Sequence, residues 1–219
     1  MINIAIDGHS GSGKSSVAML LAQKLGFKVL DTGAIYRGMA CEFDSQGLKV
    51  EEQVVEQFAE NLKIEVFFKE GVQHVSVNGT DWTSHLRGVK ISALSSQISP
   101  FPILRDKVTI IQRKFAKENN CILEGRDIGN VVLPNADVKL FITASVEERA
   151  RRRLLQLSDN KESYEEILEN LKLRDYRDEH REVAPLKVAS DAIVIDTTNL
   201  NLEETVEKCY QIIKDKLGK

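Results

Sequence analysis

One segment near the start of the chain restricts the possible folds more than any other. Residues 8–15 read Gly-His-Ser-Gly-Ser-Gly-Lys-Ser, which fits the pattern G-x-x-x-x-G-K-[ST]. An apolar run precedes this segment and a helical pattern follows it, which is the context that the motif requires. Its glycines allow the main chain to wrap around a phosphate group with the N–H groups pointing inward. The sequence therefore predicts a phosphate-binding loop between a strand and a helix.

The residues of this loop have distinct expected parts in binding ATP. Lys14 is expected to reach the β- and γ-phosphates and to act in catalysis, and Ser15 to ligate Mg²⁺ together with the phosphates. We interpret His9 as a tolerated variable position rather than a catalyst. The predicted ATP-binding residues are Gly8, His9, Ser10, Gly11, Ser12, Gly13, Lys14, Ser15 and Ser16.

Short apolar, β-branched runs recur along the chain, and several end in an acidic residue. They occupy residues 2–6, 28–30, 122–123, 138–143 and 192–195 and predict buried parallel strands. Helical patterns lie between them, and Ser145 and Glu148 are spaced as a helix-capping box. Alternation of strands and helices predicts an α/β fold with a doubly wound, parallel, five-stranded sheet.

About ninety residues separate the second and third predicted strands, whereas an ordinary crossover takes roughly thirty. Within this interval, apolar residues alternate around two turn signals, Glu70-Gly71 and Asn78-Gly79. We therefore predict a small antiparallel sheet over residues 64–83, with helices over 50–62 and 90–98. The predicted organisation of the single domain, residues 1–219, is a core (1–48, 100–150 and 185–219), an insertion (49–99) and a helical lid (151–184).

Composition excludes some classes of function. The 33 acidic residues slightly outnumber the 30 basic ones, so the net charge of -3 does not favour binding of a polynucleotide. The three cysteines lack the spacing of a metal site or a disulfide framework, and no apolar run reaches the length of a membrane span. We expect a cytoplasmic monomer that binds neither nucleic acid nor membrane.

A phosphate loop alone leaves several classes of nucleotide-binding protein open. GTPases carry an N-K-x-D stretch, but residues 160–163 read Asn-Lys-Glu-Ser and lack the aspartate. Motor-type ATPases need an apolar strand that ends in an acidic residue, and residues 121–124, Cys-Ile-Leu-Glu, are a weak version of it. These absences favour a small-molecule kinase.

Seven of the twelve arginines fall between residues 149 and 181, a crowding that requires nearby anions. Arg174, Asp178 and Arg181 are spaced to share one helical face, which suits a ligand with a phosphate and sugar hydroxyls. The charge pattern by itself favours the simpler interpretation, a solvated helix with ion pairs. Two further arginines, Arg37 and Arg126, follow predicted strands, and ligands bind beyond the carboxyl ends of parallel strands.

Four motifs in order resemble those of the bacterial cytidylate kinase family. They are the phosphate loop, Asp-Thr-Gly-Ala-Ile-Tyr-Arg at 31–37, Glu-Gly-Arg-Asp-Ile-Gly at 124–129, and Arg-Asp-x-Arg-Asp-x-x-Arg at 174–181 followed by Val-Ala-Pro-Leu. The resemblance covers nearly the whole chain and implies a P-loop kinase that phosphorylates CMP or dCMP with ATP and Mg²⁺. Three positions differ from the usual family motifs: Thr32 replaces a common serine, Glu124 a usual aspartate and Asn130 a usual threonine.

The resemblance also implies parts for individual residues. Arg37, Arg126 and Arg181 would bind the acceptor phosphate, with Arg126 and Arg181 also catalytic. Thr32, Arg174 and Asp178 would contact the sugar, and Ser96, Arg105 and Asp127 the cytosine. Residues 157–162 would form the moving tip of the lid. Two alternatives stay open: a P-loop kinase for another small-molecule acceptor, and a non-catalytic nucleotide-binding regulator.

Overall fold

The computed structural model describes residues 1–156 and 162–218. The strands are β1 Asn3–Asp7, β2 Lys28–Asp31, β3 Ile64–Lys69, β4 Val72–Val77, β5 Thr80–Asp81, β6 Cys121–Gly125, β7 Val138–Thr143 and β8 Ile193–Asp196. The helices are α1 Lys14–Leu25, α2 Thr32–Ser45, α3 Glu52–Glu60, α4 Val89–Ile98, α5 Pro102–Glu118, α6 Val146–Gln156, α7 Tyr164–His180 and α8 Leu202–Leu217. Apart from Glu162, the predicted lid tip lies outside the described residues.

The main sheet has five strands in the order β2-β6-β1-β7-β8. Strand β1 pairs in parallel with β6 on one side and with β7 on the other, and β7 pairs in parallel with β8. In this register Asp7 lies opposite Gly125, so the loops that follow β1 and β6 begin side by side. The predicted five-stranded parallel sheet is confirmed.

The chain divides into two compact units, Met1–Val29 with Ala116–Lys219 and Leu30–Phe115. In the first unit, α1 and α8 pack on the main sheet. Residues from β1, β6, β7 and β8 meet these helices in a fully buried core, because both the strands and the inward faces of the helices are apolar. This core contains Ile4, Ile6, Val17, Leu21, Ile122, Leu140, Ile142, Ile195, Val206 and Ile213.

Within the first unit, α6 and α7 form a separate pair of packed helices. Ala150, Ile167 and Leu171 are the buried centre of their contact. The start of α7 is fixed by a capping box, in which Ser163 and Glu166 each bond the main-chain N–H of the other. Across residues 1–156 and 162–218, no helix is long and apolar enough to cross a membrane.

The second unit contains the predicted small sheet, in the order β3-β4-β5. Both turn signals form as predicted, because Glu70 and Gly71 have φ angles of 51° and 79°, and Asn78 and Gly79 have φ angles of 51° and 85°. These paired positive values are typical of the tight turns that join antiparallel strands. The third strand is shorter than predicted, since a 3₁₀ turn begins at Thr83.

A buried carboxylate connects α2 with the small sheet. Oε1 of Glu42 accepts hydrogen bonds from the side-chain amides of Gln46 and Asn78, and its Oε2 accepts one from the indole N–H of Trp82 at 3.0 Å. A buried carboxylate needs such donors because burial disfavours an unpaired charge. The contact fixes Trp82, the single tryptophan of the chain, against α2.

Candidate active site

The phosphate loop joins β1 to α1, as predicted from the sequence. Gly8 has a φ angle of 147°, and a Cβ at this position would overlap the main-chain carbonyl of Ile142 in β7. Gly13 is the N-cap of α1 and has a φ angle of 91°, which side chains disfavour. Glycine is therefore required at both positions, for a close approach of two strands and for the turn into the helix.

Lys14 is buried at the start of α1, and its Nζ donates a hydrogen bond to the main-chain carbonyl of His9 across 2.7 Å. Burial, followed by the positive charge of Arg126, lowers the pKa of Lys14 to about 7. The positive charge of Arg174 lowers this pKa further, whereas Glu124 opposes the shift. Three cationic side chains therefore lie close enough to interact around the phosphate loop.

Two serines of the loop differ in their surroundings. The hydroxyl of Ser12 is buried and makes no hydrogen bond to any described residue, an arrangement that native proteins rarely leave without a ligand or water. Ser15 is exposed in the first turn of α1. Its hydroxyl suits Mg²⁺ that arrives with ATP, because Mg²⁺ keeps several waters and uses phosphate oxygens as ligands. The described residues contain no cluster of three His, Cys, Asp or Glu side chains for a permanent metal site.

Asp7, at the end of β1, fixes the loop that follows β6. Its carboxylate accepts hydrogen bonds from the main-chain N–H groups of Ile128 at 2.9 Å and Gly129 at 2.7 Å. Burial raises the pKa of Asp7 to about 6, although these N–H groups favour the charged form. The phosphate loop and the Arg126-Asp127 segment are thus held together through one buried carboxyl group.

Arg126 is joined to α7 by a buried ion pair. Its Nε donates to Oδ2 of Asp178 at 2.9 Å, and its Nη1 donates to the carbonyl of Gly125. Burial raises the pKa of Asp178, but the guanidinium groups of Arg126 and Arg174 outweigh burial and keep this pKa below its usual range. Asp178 is therefore charged in the folded protein.

Arg181 is the C-cap of α7 and lies close to Asp127. Its Nη2 is 3.8 Å from Oδ1 of Asp127, and its Nε donates to the carbonyl of Ala184 at 2.7 Å. The side chains of Arg181 and Asp127 are only 6% and 7% exposed. A solvated ion-pair helix does not describe Arg181 or Asp178, because both side chains are buried.

Three arginines of α6, Arg149, Arg151 and Arg152, bind protein groups. The guanidinium of Arg149 donates to the carbonyls of Ala144 and Ser10 and to the carboxylate of Asp175. Arg151 and Arg152 both donate to the carboxylate of Glu148, and Arg152 also binds Thr197. Acidic side chains and carbonyl groups thus supply much of the negative charge that the crowded arginines require.

In the second unit, Arg37 and Thr32 lie at the start of α2. Asp31 caps this helix through the N–H of Ala34, and its other oxygen accepts a hydrogen bond from Nη2 of Arg37 at 2.7 Å. The side-chain amide of Gln73 bonds both main-chain groups of Asp31. Arg37 is therefore held in place by Asp31, whose own main-chain N–H and carbonyl are both bound by Gln73.

Ser96 lies near the end of α4 and Arg105 in the first turn of α5, in the same unit. Arg105 is buried, its Nη1 donates to the carbonyl of Ser99, and its guanidinium lies 5.7 Å from the ring centroid of Tyr36. The hydroxyl of Ser96 is buried and makes no hydrogen bond to any described residue. Both side chains therefore present buried polar groups.

The structure brings the predicted site residues together in two sets, one in each unit. The first unit holds Lys14, Arg126, Asp127, Arg174, Asp178 and Arg181, and the second holds Thr32, Arg37, Ser96 and Arg105. Two residues beside the first set, Asp7 and Arg149, were not among the predicted site residues. The acidic end of the first strand was a usable signal for Asp7, whereas nothing local in the sequence distinguishes Arg149 from its neighbours.

A phosphate loop directly after β1, in a parallel sheet of this strand order, places the protein in the P-loop class of nucleotide-binding proteins. A gluconokinase structure from Sinorhizobium meliloti has the same fold, with a TM-score of 0.51, 12% sequence identity, and coverage of 98% of this chain and 92% of that chain.

Comparisons of sequence define the family more closely. The family model described as cytidylate kinase matches residues 4–215. A cytidylate kinase of Caldicellulosiruptor saccharolyticus is 41% identical over 220 residues, covering 99% of this chain and 97% of the relative. One of Carboxydothermus hydrogenoformans is 43% identical over 218 residues, covering 98% of each chain. The chain therefore belongs to the cytidylate kinase family, which confirms the resemblance carried by the four motifs and the expected class of enzyme, an ATP-dependent kinase.

Proposed function

We propose that the protein transfers the γ-phosphoryl group of ATP to CMP or dCMP, giving ADP and CDP or dCDP. One observation supports this most directly: Arg126 and Arg174 lie close enough to the buried Lys14 for their charges to lower its pKa. The carboxylates of Asp178 and Glu124 offset part of this positive charge, and bound anions would offset more of it. Donor and acceptor phosphates are anions of the required kind, and family membership specifies the acceptor.

Lys14 and the N–H groups of residues 8–16 bind the phosphates of ATP in this proposal. The buried hydroxyl of Ser12 has no hydrogen-bond partner among the described residues, which supports the binding of a polar ligand at the loop. Ser15 is the proposed protein ligand of Mg²⁺, which supplies charge neutralisation when it is bound with ATP. His9 contributes its main-chain carbonyl to Lys14.

Arg37, Arg126 and Arg181 are the proposed binders of the acceptor phosphate, and Thr32, Arg174 and Asp178 those of the sugar. An arginine is suited to a phosphate because its planar fork donates two parallel hydrogen bonds. Arg37 and Arg126 each lie within hydrogen-bond distance of an aspartate, Asp31 and Asp178. These pairs orient the guanidinium groups before the substrate binds.

Ser96, Arg105 and Asp127 are the proposed readers of cytosine. Cytosine presents an amino donor and a carbonyl acceptor, which a carboxylate or hydroxyl and a guanidinium can each recognise. The buried hydroxyl of Ser96 supports this assignment, because it lacks a hydrogen-bond partner among the described residues.

The reaction requires that the acceptor phosphate is aligned with the γ-phosphoryl group of ATP, and it does not require a general base. The acceptor phosphate is already an anion near neutral pH, so an oxygen of CMP can attack the γ-phosphorus without loss of a proton to the protein. Lys14, Arg126 and Arg181 reduce the repulsion between the acceptor phosphate and the phosphates of ATP. Their positive charges also stabilise the negative charge that shifts between these groups during transfer. Residues 151–184 act as the lid, whose closure excludes water that would otherwise hydrolyse ATP.

The protein also acts, in this proposal, as a cytoplasmic monomer that binds neither nucleic acid nor membrane. The buried thiols of Cys41, Cys121 and Cys209 are free, which suits a reducing compartment. The slight excess of acidic residues disfavours polynucleotides. Sedimentation of the purified protein, with and without nucleotides, measures the oligomeric state.

A coupled assay across acceptors tests the proposed activity. ATP consumption is measured with CMP, dCMP, UMP and AMP, and with shikimate and gluconate as hydroxyl acceptors, and the products are identified by ³¹P NMR. We expect CDP and dCDP as products, with kcat/KM far above that for AMP. Phosphorylation of a hydroxyl acceptor but of no monophosphate would favour the alternative kinase, and ATP binding without turnover would favour a regulator.

A further inference from the structure

The ring of His9, the second residue of the phosphate loop, is bound by side chains from two other elements. Its Nε2 lies 2.8 Å from Oε1 of Glu179 in α7, and its Nδ1 lies 3.3 Å from Oγ1 of Thr143 at the end of β7. The ring also packs edge to face on Phe141, with 5.8 Å between the ring centroids. Only 17% of the His9 side chain is exposed. The ring is therefore held between β7 and α7.

Phosphate binding does not explain these contacts. The motif G-x-x-x-x-G-K-[ST] accepts any residue at the position of His9. The hydrogen bond from Lys14 uses the main-chain carbonyl of His9, which every residue has. The ring of His9 therefore has a role other than phosphate binding, and its contact with α7 indicates what this role is.

Two successive turns of α7 are connected to two successive residues of the phosphate loop. Asp175 and Glu179 are four residues apart and share one helical face. Glu179 binds His9 directly, whereas Asp175 binds Arg149 at 2.6 Å, and Arg149 donates to the main-chain carbonyl of Ser10 at 3.1 Å. The C-terminal half of α7 is thus attached to the loop at two points.

The same half of α7 carries residues of the proposed acceptor site. Arg174 and Asp178 lie in these two turns, and Arg181 follows as the C-cap of the helix. Asp178 in turn binds Arg126. A shift of about 1 Å in groups that align two substrates can reduce the rate about a hundredfold, so the placement of α7 on the loop affects catalysis.

We propose that the His9–Glu179 pair positions the C-terminal half of α7 on the phosphate loop and thereby sets the distance between the donor and acceptor sites. His9 is a positioning residue here, because its ring acts through α7 and contacts neither substrate. The assignment of Arg174, Asp178 and Arg181 to the acceptor rests on the proposed function. The simpler alternative is a partly exposed side-chain contact without effect on activity, since 42% of the Glu179 side chain is exposed.

Three variants test the pair: His9→Ala, Glu179→Ala and the double variant. We expect each single variant to raise KM for CMP three- to tenfold, and the double variant to raise it no further, because both changes remove the same contact. The Kd of ATP should stay within twofold of wild type, because the loop binds phosphate through main-chain groups. Glu169→Ala is the matched control, since Glu169 forms an exposed pair with Lys172 on the same helix.

Conservative variants of His9 sharpen the test. His9→Gln places an amide N–H near the position of Nε2 and can still donate to Glu179, whereas the shorter side chain of His9→Asn reaches only the position of Nδ1. We expect His9→Gln to restore KM for CMP to within twofold of wild type and His9→Asn to resemble His9→Ala. Thermal unfolding without nucleotide confirms that every variant is folded.

Hydrogen exchange in the nucleotide-free protein tests the pair without any substrate. Main-chain amides in residues 174–181 should exchange faster in His9→Ala than in wild type or in Glu169→Ala. Unchanged exchange in His9→Ala, a KM for CMP within twofold of wild type, or additive effects in the double variant would each overturn the proposal. A wild-type protein that does not phosphorylate CMP would overturn the proposed function instead, and hydrogen exchange would still decide the question of the pair.

Discussion

Nε of Arg126 donates a hydrogen bond to Oδ2 of Asp178 across 2.9 Å, and this contact joins the loop after β6 to the last turns of α7. Both side chains are largely buried, at 19% and 7% exposure. An ion pair in such surroundings has lost most of its hydration, so removal of one partner leaves the other charge buried without compensation. The pair therefore links the stability of the first unit to the geometry of its proposed acceptor site.

Replacement of Asp178 tests this link. We expect Asp178→Ala to lower the free energy of unfolding by about 3–5 kcal/mol, because the guanidinium of Arg126 stays buried without its carboxylate. Glu169→Ala removes an exposed pair on the same helix and should cost about 0–1 kcal/mol. Urea unfolding of both variants, without nucleotide, gives the two values. A loss below 1 kcal/mol in Asp178→Ala would contradict the account of a desolvated pair.

Lys14 is expected to be required for transfer and to reduce stability. Lys14→Met should lower kcat by at least about a hundredfold, because the ammonium group binds charge that develops on the transferring phosphate. The same variant should unfold at an equal or higher temperature, since burial disfavours the charged lysine. Single-turnover kinetics and thermal unfolding measure the two effects. An active Lys14→Met protein would contradict the assignment of the loop.

The lowered pKa of Lys14 also predicts how protons move when ATP binds. With a pKa of about 7, the free protein carries a mostly neutral Lys14 at pH 8, and the phosphates of ATP favour the charged form. Binding at pH 8 should therefore take up close to one proton, which calorimetry in buffers of different ionisation enthalpy measures. Lys14→Met should abolish the proton uptake. Equal uptake in both proteins would mean that a group other than Lys14 is protonated when ATP binds.

The pH dependence of stability follows from the same shift, with its sign worked out. Lys14 has a pKa near 7 when folded and about 10.5 when unfolded, so the unfolded chain binds more protons between these values. The contribution of Lys14 to the stability of the nucleotide-free protein should therefore rise with pH from about 7 to 10.5. Urea unfolding across this range, compared with Lys14→Met, isolates the contribution. If the unfolding free energy of Lys14→Met rose with pH as steeply as that of wild type, the assignment of this pH dependence to Lys14 would be wrong.

Base selection is expected to depend on Arg105 and Asp127. Arg105→Lys and Asp127→Asn should each raise KM for CMP and reduce its preference over AMP by about tenfold or more, because a buried polar group then lacks its partner. Arg87→Lys is the matched control, since Arg87 is an exposed arginine of the same unit as Arg105. Unchanged selectivity in both site variants would mean that other residues read the base.

The main sheet and the phosphate loop were predictable because local chemistry determines both. Buried parallel strands need continuous apolar runs, and the loop needs glycine where Gly8 meets Ile142 and where Gly13 turns into α1. The small sheet was predictable from Asn78-Gly79. A tight turn of this kind needs positive φ angles at two successive residues, and few residue types accept a positive φ angle.

The contacts of individual polar side chains were less predictable, because several possible hydrogen-bond partners lie within reach of each side chain in the folded protein. Ser145 caps α6 through the N–H of Glu148, but the predicted reciprocal bond is absent, because the carboxylate of Glu148 binds Arg151 and Arg152. The assignments of Ser96 and Arg105 to cytosine rested on the family resemblance alone. Their burial depends on tertiary packing, which one sequence does not reveal.

The hydrogen bond between the indole of Trp82 and Glu42 gives the second unit a built-in optical reporter. Trp82 is the single tryptophan of the chain, so emission excited at the red edge of protein absorption comes from that unit alone. Loss of the contact with Glu42 exposes the indole to water and shifts its emission to longer wavelength. Fluorescence therefore follows the unit that contains Arg37 and Arg105, while circular dichroism follows all the helices, and the two signals together reveal whether the units melt in one step or in two.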